Sequence, residues 1–589
     1  MKKIVSLVII ISMMLCMFPI SSMTVTATTT EFKGIVDLSE YADGDEYIDG
    51  DGVKYEVIKT AENFKKIDRT KNCIFACPID MGGEPFTNNI FGDGTSIQGI
   101  IDGNGFSLYN FSATYGSGYG AVGLLAQSLK GNATIKNLTI GTPTERIEYI
   151  INGSVAQTAG ALVGKIHKDT AANQTVTISN VHVYCNMTFQ KKISNQVNLG
   201  GFVGITESGS NAYTLNITDS SFTGSITFAD TAVNSGNGTN VGGLVGSHQM
   251  GTLNITNSKN YANIDITKRT SGTARAYAGG MVGNANSQAS FTNCVNSGDI
   301  SSDRFAGGII GGTYFTSSND YDFNYTNCVN HGNISSNSGD STEKAAAGGI
   351  IGITEMTTQK IQNCGNTGNL SASRVYSNNE LPKLGACGII GRYYLNNSNT
   401  VISDCYSTGV ILSTVADETV TFTPYAIFTG SVASGIKLKV TGCVWNMTFN
   451  NNTVKNGLPT TNLTVDSGNN TQKNIIAKKS TALYDAYAQK SIDNTKLRIL
   501  LVSATPELTD KTDIVINVYY GENQGKKFTV PANYIFALHS VEAAGDMYYA
   551  VGDAYIFGGV ITGIPENINI TRVEVEFGNG FEWNIPMEG

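Results

Sequence analysis

The chain has 589 residues, a net charge of -9 and a sequence pI near 5.2, which excludes a basic nucleic-acid binder. Only 15% of the residues are charged, against roughly 25% in ordinary domains, so Asn, Ser, Thr and Gly must carry most of the surface. That balance favours an extended β-rich protein over a helical bundle, whose exposed faces are rich in Lys and Glu.

Residues 1–27 read as a secretory signal peptide. Lys2 and Lys3 supply the positive start, Ile4 to Phe18 is an apolar run too short for a convincing membrane span, and Val25-Thr26-Ala27 suits cleavage after small residues. A lipoprotein reading through Cys16 is the alternative, but Leu15 stands where a small residue belongs. The mature chain is expected to be exported, and to be secreted or held noncovalently at a cell surface. It shows no second apolar segment and no Leu-Pro-x-Thr-Gly sorting signal near Asn584 to Gly589.

Residues 28–95 read as an N-terminal cap, with a short helix over Thr60 to Asp68 closing one end of a solenoid. Asp43, Asp45, Asp49 and Asp51 form an Asp/Gly run that admits two readings. One is a weak calcium site, although the spacing is not that of a helix–loop–helix calcium loop; the other is turn chemistry between two strands.

Residues 96–450 carry a repeat. One half is a glycine motif: Gly160-Ala161-Leu162-Val163-Gly164, Gly200-Gly201-Phe202-Val203-Gly204, Gly242-Gly243-Leu244-Val245-Gly246, Gly279-Gly280-Met281-Val282-Gly283, Ala306-Gly307-Gly308-Ile309-Ile310-Gly311 and Gly348-Gly349-Ile350-Ile351-Gly352, with Cys387-Gly388-Ile389-Ile390-Gly391 as a variant. The other half is anchored on Asn110, Asn137, Asn180, Asp219, Asn257, Asn293, Asn327, Asn363, Asp404 and Gly442, with successive spacings of 27, 43, 39, 38, 36, 34, 36, 41 and 38. Two residues before each anchor the side chain is apolar or aromatic, from Leu108 to Val440. Seven residues after it comes a second apolar column, which includes Ile226, Ile264, Ile300, Ile334, Leu370 and Ile411. These offsets never change while the segments between them vary in length. A stacked strand surface needs the first property, because one inserted residue would turn every later side chain over. Protruding loops allow the second. The expectation is a parallel β-helix of about ten coils, with the anchor Asn in a left-handed corner and its side chain bonded along the axis. The two adjacent apolar residues of the glycine motif do not fit a regular strand. Either the glycines bend the strand or its outer face is covered.

The repeat resembles the GLUG-motif repeats of bacterial surface proteins, over about residues 55 to 450. The run Ile97-Gln98-Gly99-Ile100-Ile101-Asp102-Gly103-Asn104-Gly105-Phe106 is similar to the first coil of that group. The resemblance implies a right-handed parallel β-helix of the pectin-lyase-like kind and leaves activity open.

Residues 451–494 read as a connector with a short helix over Ser480 to Ser491, where Leu483, Tyr484 and Tyr487 are apolar. Residues 495–589 change to strand-like runs, among them Asp513 to Tyr520 and Arg572 to Phe577, separated by turn signals. This predicts a small antiparallel β-sandwich-like domain.

Sites are sparse. His167, His182, His248, His331 and His539 form no His-Glu-x-x-His zinc motif, and no Gly-x-Ser-x-Gly elbow occurs. No cofactor is implied. A sugar-cleaving β-helix would cluster acids and cations in one groove. Asp303, Arg304, Asp320 and Asp322 are the candidates, equally readable as solvated loop charges. Cys294, Cys328, Cys364, Cys405 and Cys443 each follow an anchor by one residue, which suits a buried column of reduced thiols acting as small fillers. Cys73 and Cys77 are either a local disulfide or inert. The aromatic loops remain: Tyr314, Phe315, Tyr321 and Phe323 in one, Tyr393 and Tyr394 in its equivalent two coils later. They either stack on sugar rings or cover the sheet. The reading is an exported, non-enzymatic, adhesin-like protein that binds host or cell-wall glycans or proteins through its β-helix loops. A polysaccharide lyase or glycoside hydrolase on the same scaffold, and a structural stalk presenting the C-terminal domain, are the alternatives.

Overall fold

In the computed structural model the residues described are 34–415, except 116–119, 153–156, 168–172, 191–195, 208–212, 230–237, 269–274, 314–320, 339–344, 356–357, 375–383, 395–398, 404 and 408–410; beyond 415 only the backbone strands are described. The expected signal peptide therefore lies outside the described residues. Among them, no helix is long and apolar enough to cross a membrane.

The chain is almost entirely β, wound as a parallel solenoid with three faces. One coil shows the plan. Thr239–Gly242 lies in an eight-stranded sheet and Val245–His248 in a nine-stranded sheet; Thr252–Thr256, Lys259–Asn260 and Asn263–Asp265 lie in the wide sheet. Each strand pairs in parallel with its counterpart in the next coil, as in Ile226↔Ile264, Ile264↔Ile300, Ile300↔Ile334, Ile334↔Leu370 and Leu370↔Ile411. That is the predicted apolar column, and all six side chains are buried. Each such side chain contributes roughly 1.5–3 kcal/mol through its removal from water.

The coil count differs from expectation. The solenoid has about six turns rather than ten. Register explains part of the overcount. Leu108 pairs with Ile140, not Ile135, so Asn110 does not stand under Asn137; Asp102, paired with Lys136, instead accepts the Asn137 side chain. The spacing of 27 already marked Asn110 as the odd anchor. At the other end, Gly442 lies past the last described strand of the eight-stranded sheet, Leu384–Cys387.

The glycine motif resolves as a bend. The strand of the eight-stranded sheet ends at Gly242, the chain turns at Gly243 and Leu244, and a new strand starts at Val245, so Leu244 and Val245 both reach the core. The second glycine has a further cause. A Cβ on Gly243, Gly280, Gly308 or Gly349 would lie about 2.4–2.6 Å from the side chain of Asn260, Asn296, Asn330 or Asn366, respectively. These four buried amides form an internal ladder three residues past the anchors. Asn260, Asn296 and Asn330 each donate from Nδ2 to the Oδ1 of the next, at 2.7, 2.7 and 2.8 Å. Each Nδ2 also donates to a backbone carbonyl two residues on, as in Asn330 to Gly332 O at 2.7 Å. A carbonyl only accepts, so every amide is fixed in one orientation.

The anchors form a second ladder running the other way. All described anchors from Asn137 to Asn363 adopt left-handed φ of 50–54°. Asn363, Asn327, Asn293 and Asn257 donate back towards the N-terminal end, finishing on Asp219; Asn180 and Asn137 likewise finish on Asp102. A carboxylate accepts without donating, so Asp219 interrupts the ladder below Asn257, and His182 Nε2 contacts Asn180 Oδ1 there at 3.2 Å.

The cysteine column does more than fill space. Ser220, Ser258, Cys294, Cys328, Cys364 and Cys405 all occupy the position after the anchor, and all are buried. Each donates to the carbonyl of the residue before its anchor, as Ser258 does to Thr256 O at 2.9 Å and Cys364 to Gln362 O at 3.3 Å. Ser258 Oγ also accepts Ser220 N, and Cys364 Sγ accepts Cys328 N. The thiol thus performs the serine's role, satisfying backbone groups where the left-handed corner breaks strand pairing. All described cysteines are free, including Cys73 and Cys77; Cys443 lies outside the described residues. Burial and the neighbouring thiols push Cys294 and Cys364 well above the ordinary thiol range.

Helix Ala61–Lys66 starts at Thr60, whose side chain accepts Asn63 N, and it buries Phe64 edge-on against Phe75 and Phe91. Loop residues 89–91 pair with the first strand of the eight-stranded sheet: Asn89 Oδ1 accepts Gly123 N, and Ile90 and Phe91 donate to Leu124 and Leu125 carbonyls. The exposed edge is thereby covered.

Past residue 450, Thr464–Gly468 and Thr471–Lys473 continue the wide sheet in parallel. The helix expected over Ser480 to Ser491 is instead strand Leu483–Lys490, antiparallel to Leu497–Ser503 with Tyr487 opposite Leu500. Its three apolar residues suit either period, and pairing with a distant partner decides. The C-terminal region contains two four-stranded antiparallel sheets.

Candidate functional site

Few of the aromatic candidates fall among the described residues. Tyr314 and Phe315 lie outside them. Tyr321 is half-buried against the main core, and Phe323 is fully buried within it. Tyr393 and Tyr394 are in strand Ile390–Tyr394 rather than in a loop. Tyr393 pairs with Thr354 and Thr354 with Thr313; the same column runs back through Ala285, His248 and Thr206, and all five side chains are buried. The side chains of Tyr393 and Tyr394 lie outside the described residues.

The Asp run is occupied by turns. Asp43 accepts Lys59 N and Thr60 Oγ1; Asp45 accepts Ala42 N; Asp49 accepts Asp51 N and Val53 N. Burial opposes ionisation of Asp43, but the bonds from Thr60 and Lys59 outweigh it and hold its carboxyl below the usual range. Among the described residues no three His, Cys, Asp or Glu side chains converge as a metal site.

The charged candidates are scattered. Asp303 and buried Arg304 follow strand Ile300–Ser302, whereas Asp322 opens strand Asp322–Thr326 at another corner of the coil, and Asp320 lies outside the described residues. Of the histidines, His248 is fully buried: its Nδ1 contacts Thr206 Oγ1 at 2.9 Å and its Nε2 contacts Gln288 O at 3.1 Å. Burial pulls it down to about 4. It is a core residue. His182 is also lowered, by desolvation.

Two features of the wide sheet offer more. The first is a solvent-facing column six residues past the anchors, Asn186, Ser225, Asn263, Asp299, Asn333 and Asn369, which Glu148 joins by pairing with Asn186. Asn186 Nδ2 donates to Glu148 Oε1 at 2.7 Å. Farther along, Asn263, Asp299 and Asn333 each use Oδ1 to accept the backbone N–H of the next coil's residue, at 3.0, 2.8 and 3.1 Å. This arrangement locks the side chains and leaves the Nδ2 groups of Asn263 and Asn333 to solvent. Like chemistry recurs every coil, about 4.8 Å apart.

The second is an open groove of about 670 Å³ at the N-terminal end of that column, lined by Gly83, Asn110 to Ser112, Pro143 to Glu148 and Asn186. Its members come from four sequence-distant segments. Thr142 and Glu145 fix the loop above it, with Thr142 N bonded to Glu145 O and Glu145 N to Thr142 Oγ1. Asn110 is held by Asp80, and Phe111 is seated edge-on against Phe86. The polar column had a sequence signal, a run of Asn, Ser and Asp just before the apolar column seven residues past the anchor. The groove had none, because Arg146 lies in a loop outside the repeat and Glu148 in the strand Ile147–Ile151 that follows it, off the anchor offsets.

No family model matches the chain, and no curated relative matches it. Among solved structures, one similar chain is a Bacteroides ovatus protein assigned as an immunoglobulin A1 protease, at 15% identity and a TM-score of 0.31, covering 48% of this chain and 75% of that one. Another is the enzymatically active domain of bacteriophage CBA120 tailspike protein 4, at 10% identity and a TM-score of 0.23, covering 94% of this chain and 72% of that one. Similarity at this level carries no argument about function.

Proposed function

We propose that this is an extracellular, non-enzymatic binding protein of the GLUG-repeat kind, adhesin-like, which holds a glycan or surface-protein polymer along the outer side of its wide sheet. The polar column from Glu148 to Asn369 carries this reading. A polymer aligned with the axis meets amide and carboxylate groups on each coil, so weak contacts add along its length. The groups are held by the coil itself, which lowers the cost of ordering them on binding. Screening the mature protein on a glycan array, with a reducing-end assay on every hit, tests it. Binding without new chain ends supports it. Released ends favour a polysaccharide-cleaving enzyme, for which Glu145 and Glu148 beside the groove are the acids to mutate. No binding to any glycan or surface protein leaves the stalk reading.

A further inference from the structure

We propose that the groove between Asn110 and Arg146 is a separate subsite for a short neutral oligosaccharide, engaged in addition to the polar column; the assignment of ligand class rests on the glycan reading above. The groove's volume of about 670 Å³ falls within the range of ligand-binding clefts, roughly 300–1,000 Å³. Its wall is set before any ligand arrives. Asn186 is clamped between Glu148 and Ser225, Asn110 is tied to Asp80, and the Thr142–Glu145 turn is closed by two reciprocal bonds. Above this wall, Glu145 and Arg146 are exposed, and neither side chain has a partner among the described residues.

The chemistry selects the ligand class. Two carboxylates and one guanidinium leave the lining with a net charge of about -1, which opposes an anionic sugar. Carboxylate and amide oxygens accept hydrogen bonds, and guanidinium and amide nitrogens donate them, so a polyhydroxylated ring finds partners of both kinds. A peptide needs a deep apolar anchor, and Phe111 beneath the groove is only 7% exposed. Glu148 also belongs to the polar column, so an oligosaccharide seated here continues onto Asn186 and the coils beyond.

Isothermal titration of the full chain with neutral hexose oligosaccharides of two and six units, and with a six-unit uronic-acid oligomer, tests the assignment. The double variant E145Q/R146A alters two exposed side chains and should leave the melting temperature unchanged. Wild type should bind at least one neutral hexamer, and E145Q/R146A should bind it about tenfold more weakly. N186A serves as a second variant that keeps both exposed charges and should also weaken binding. Equal binding by wild type and both variants, preference for the uronic oligomer, or binding only of unrelated peptides overturns the subsite. If long glycans still bind wild type and lose affinity only with changes at Asn263 and Asn333, the subsite fails and the polymer reading stands. If no glycan binds at all, both fail.

Discussion

Asn330→Ala should be among the most damaging single changes in the solenoid. Asn330 is fully buried and makes three bonds: Nδ2 to Gly332 O at 2.7 Å, Nδ2 to Asn366 Oδ1 at 2.8 Å, and Oδ1 from Asn296 Nδ2 at 2.7 Å. Truncation leaves Gly332 O and Asn366 Oδ1 without this donor, and removes the acceptor of Asn296. Two buried acceptors deprived of a donor cost about 1–3 kcal/mol each, and the small cavity adds to this, for about 3–5 kcal/mol. Gly308 lies against the Asn330 side chain, but its backbone is fixed by neighbouring coils, so collapse into the space is limited. Asn333→Ala is the control: three residues away and exposed, it loses one bond, from Asn369 N, and should cost no more than about 0.5–1.5 kcal/mol. Urea unfolding, comparing midpoints at equal slope, measures both. A loss below about 1 kcal/mol for Asn330→Ala would refute the view that the internal ladder is a structural spine.

The neighbouring columns make three further expectations testable. His248 is lowered from 6.5 to about 4 by burial, so between those values the unfolded chain binds the extra proton; stability is complete above pH 6.5 and falls with pH, by up to about 3 kcal/mol. His248→Gln should flatten that part of the pH profile in thermal melts, and an unchanged slope would contradict the assignment. Asp219→Asn restores a donor at the interrupted rung and keeps a residue suited to φ 50°, so it should stabilise the fold by about 0.5–1 kcal/mol; a lower melting temperature would count against the polarity of the anchor ladder. Alkylation of unreduced protein after unfolding should find Cys294, Cys328, Cys364 and Cys405 as thiols by mass spectrometry, and a Cys328–Cys364 bridge would contradict this.

Much of the fold was legible because a stacked strand surface forces fixed offsets. The anchor, the apolar columns on either side of it and the cap helix at Thr60 could be read directly. What the sequence hid has specific causes. Asn110 carries the residue type and φ of an anchor but pairs in another register, which only the partner strand reveals. Leu483, Tyr484 and Tyr487 fit a helix or a strand, and Leu497–Ser503 decides between them. The Cys column looked apolar because thiols pack like small apolar groups, yet the serines at Ser220 and Ser258 already showed its hydrogen-bonding role. The Tyr314 and Tyr393 pair drew attention by composition, whereas Tyr393 lies in a strand rather than in a loop. The groove unites Gly83, Asn110 and Arg146 across the first coils, a proximity no local pattern encodes.

The central claim is that the wide sheet binds a polymer along its length. It is tested most directly by titrating one array-positive glycan as a series of increasing chain length against wild type and the double variant N263A/N333A. Affinity should rise with length in wild type and its length dependence should flatten in the variant, with the variant still folded and its melting temperature lowered only by the loss of the two bonds from Asp299 N and Asn369 N. Affinity independent of length, or an identical rise in the variant, would contradict it.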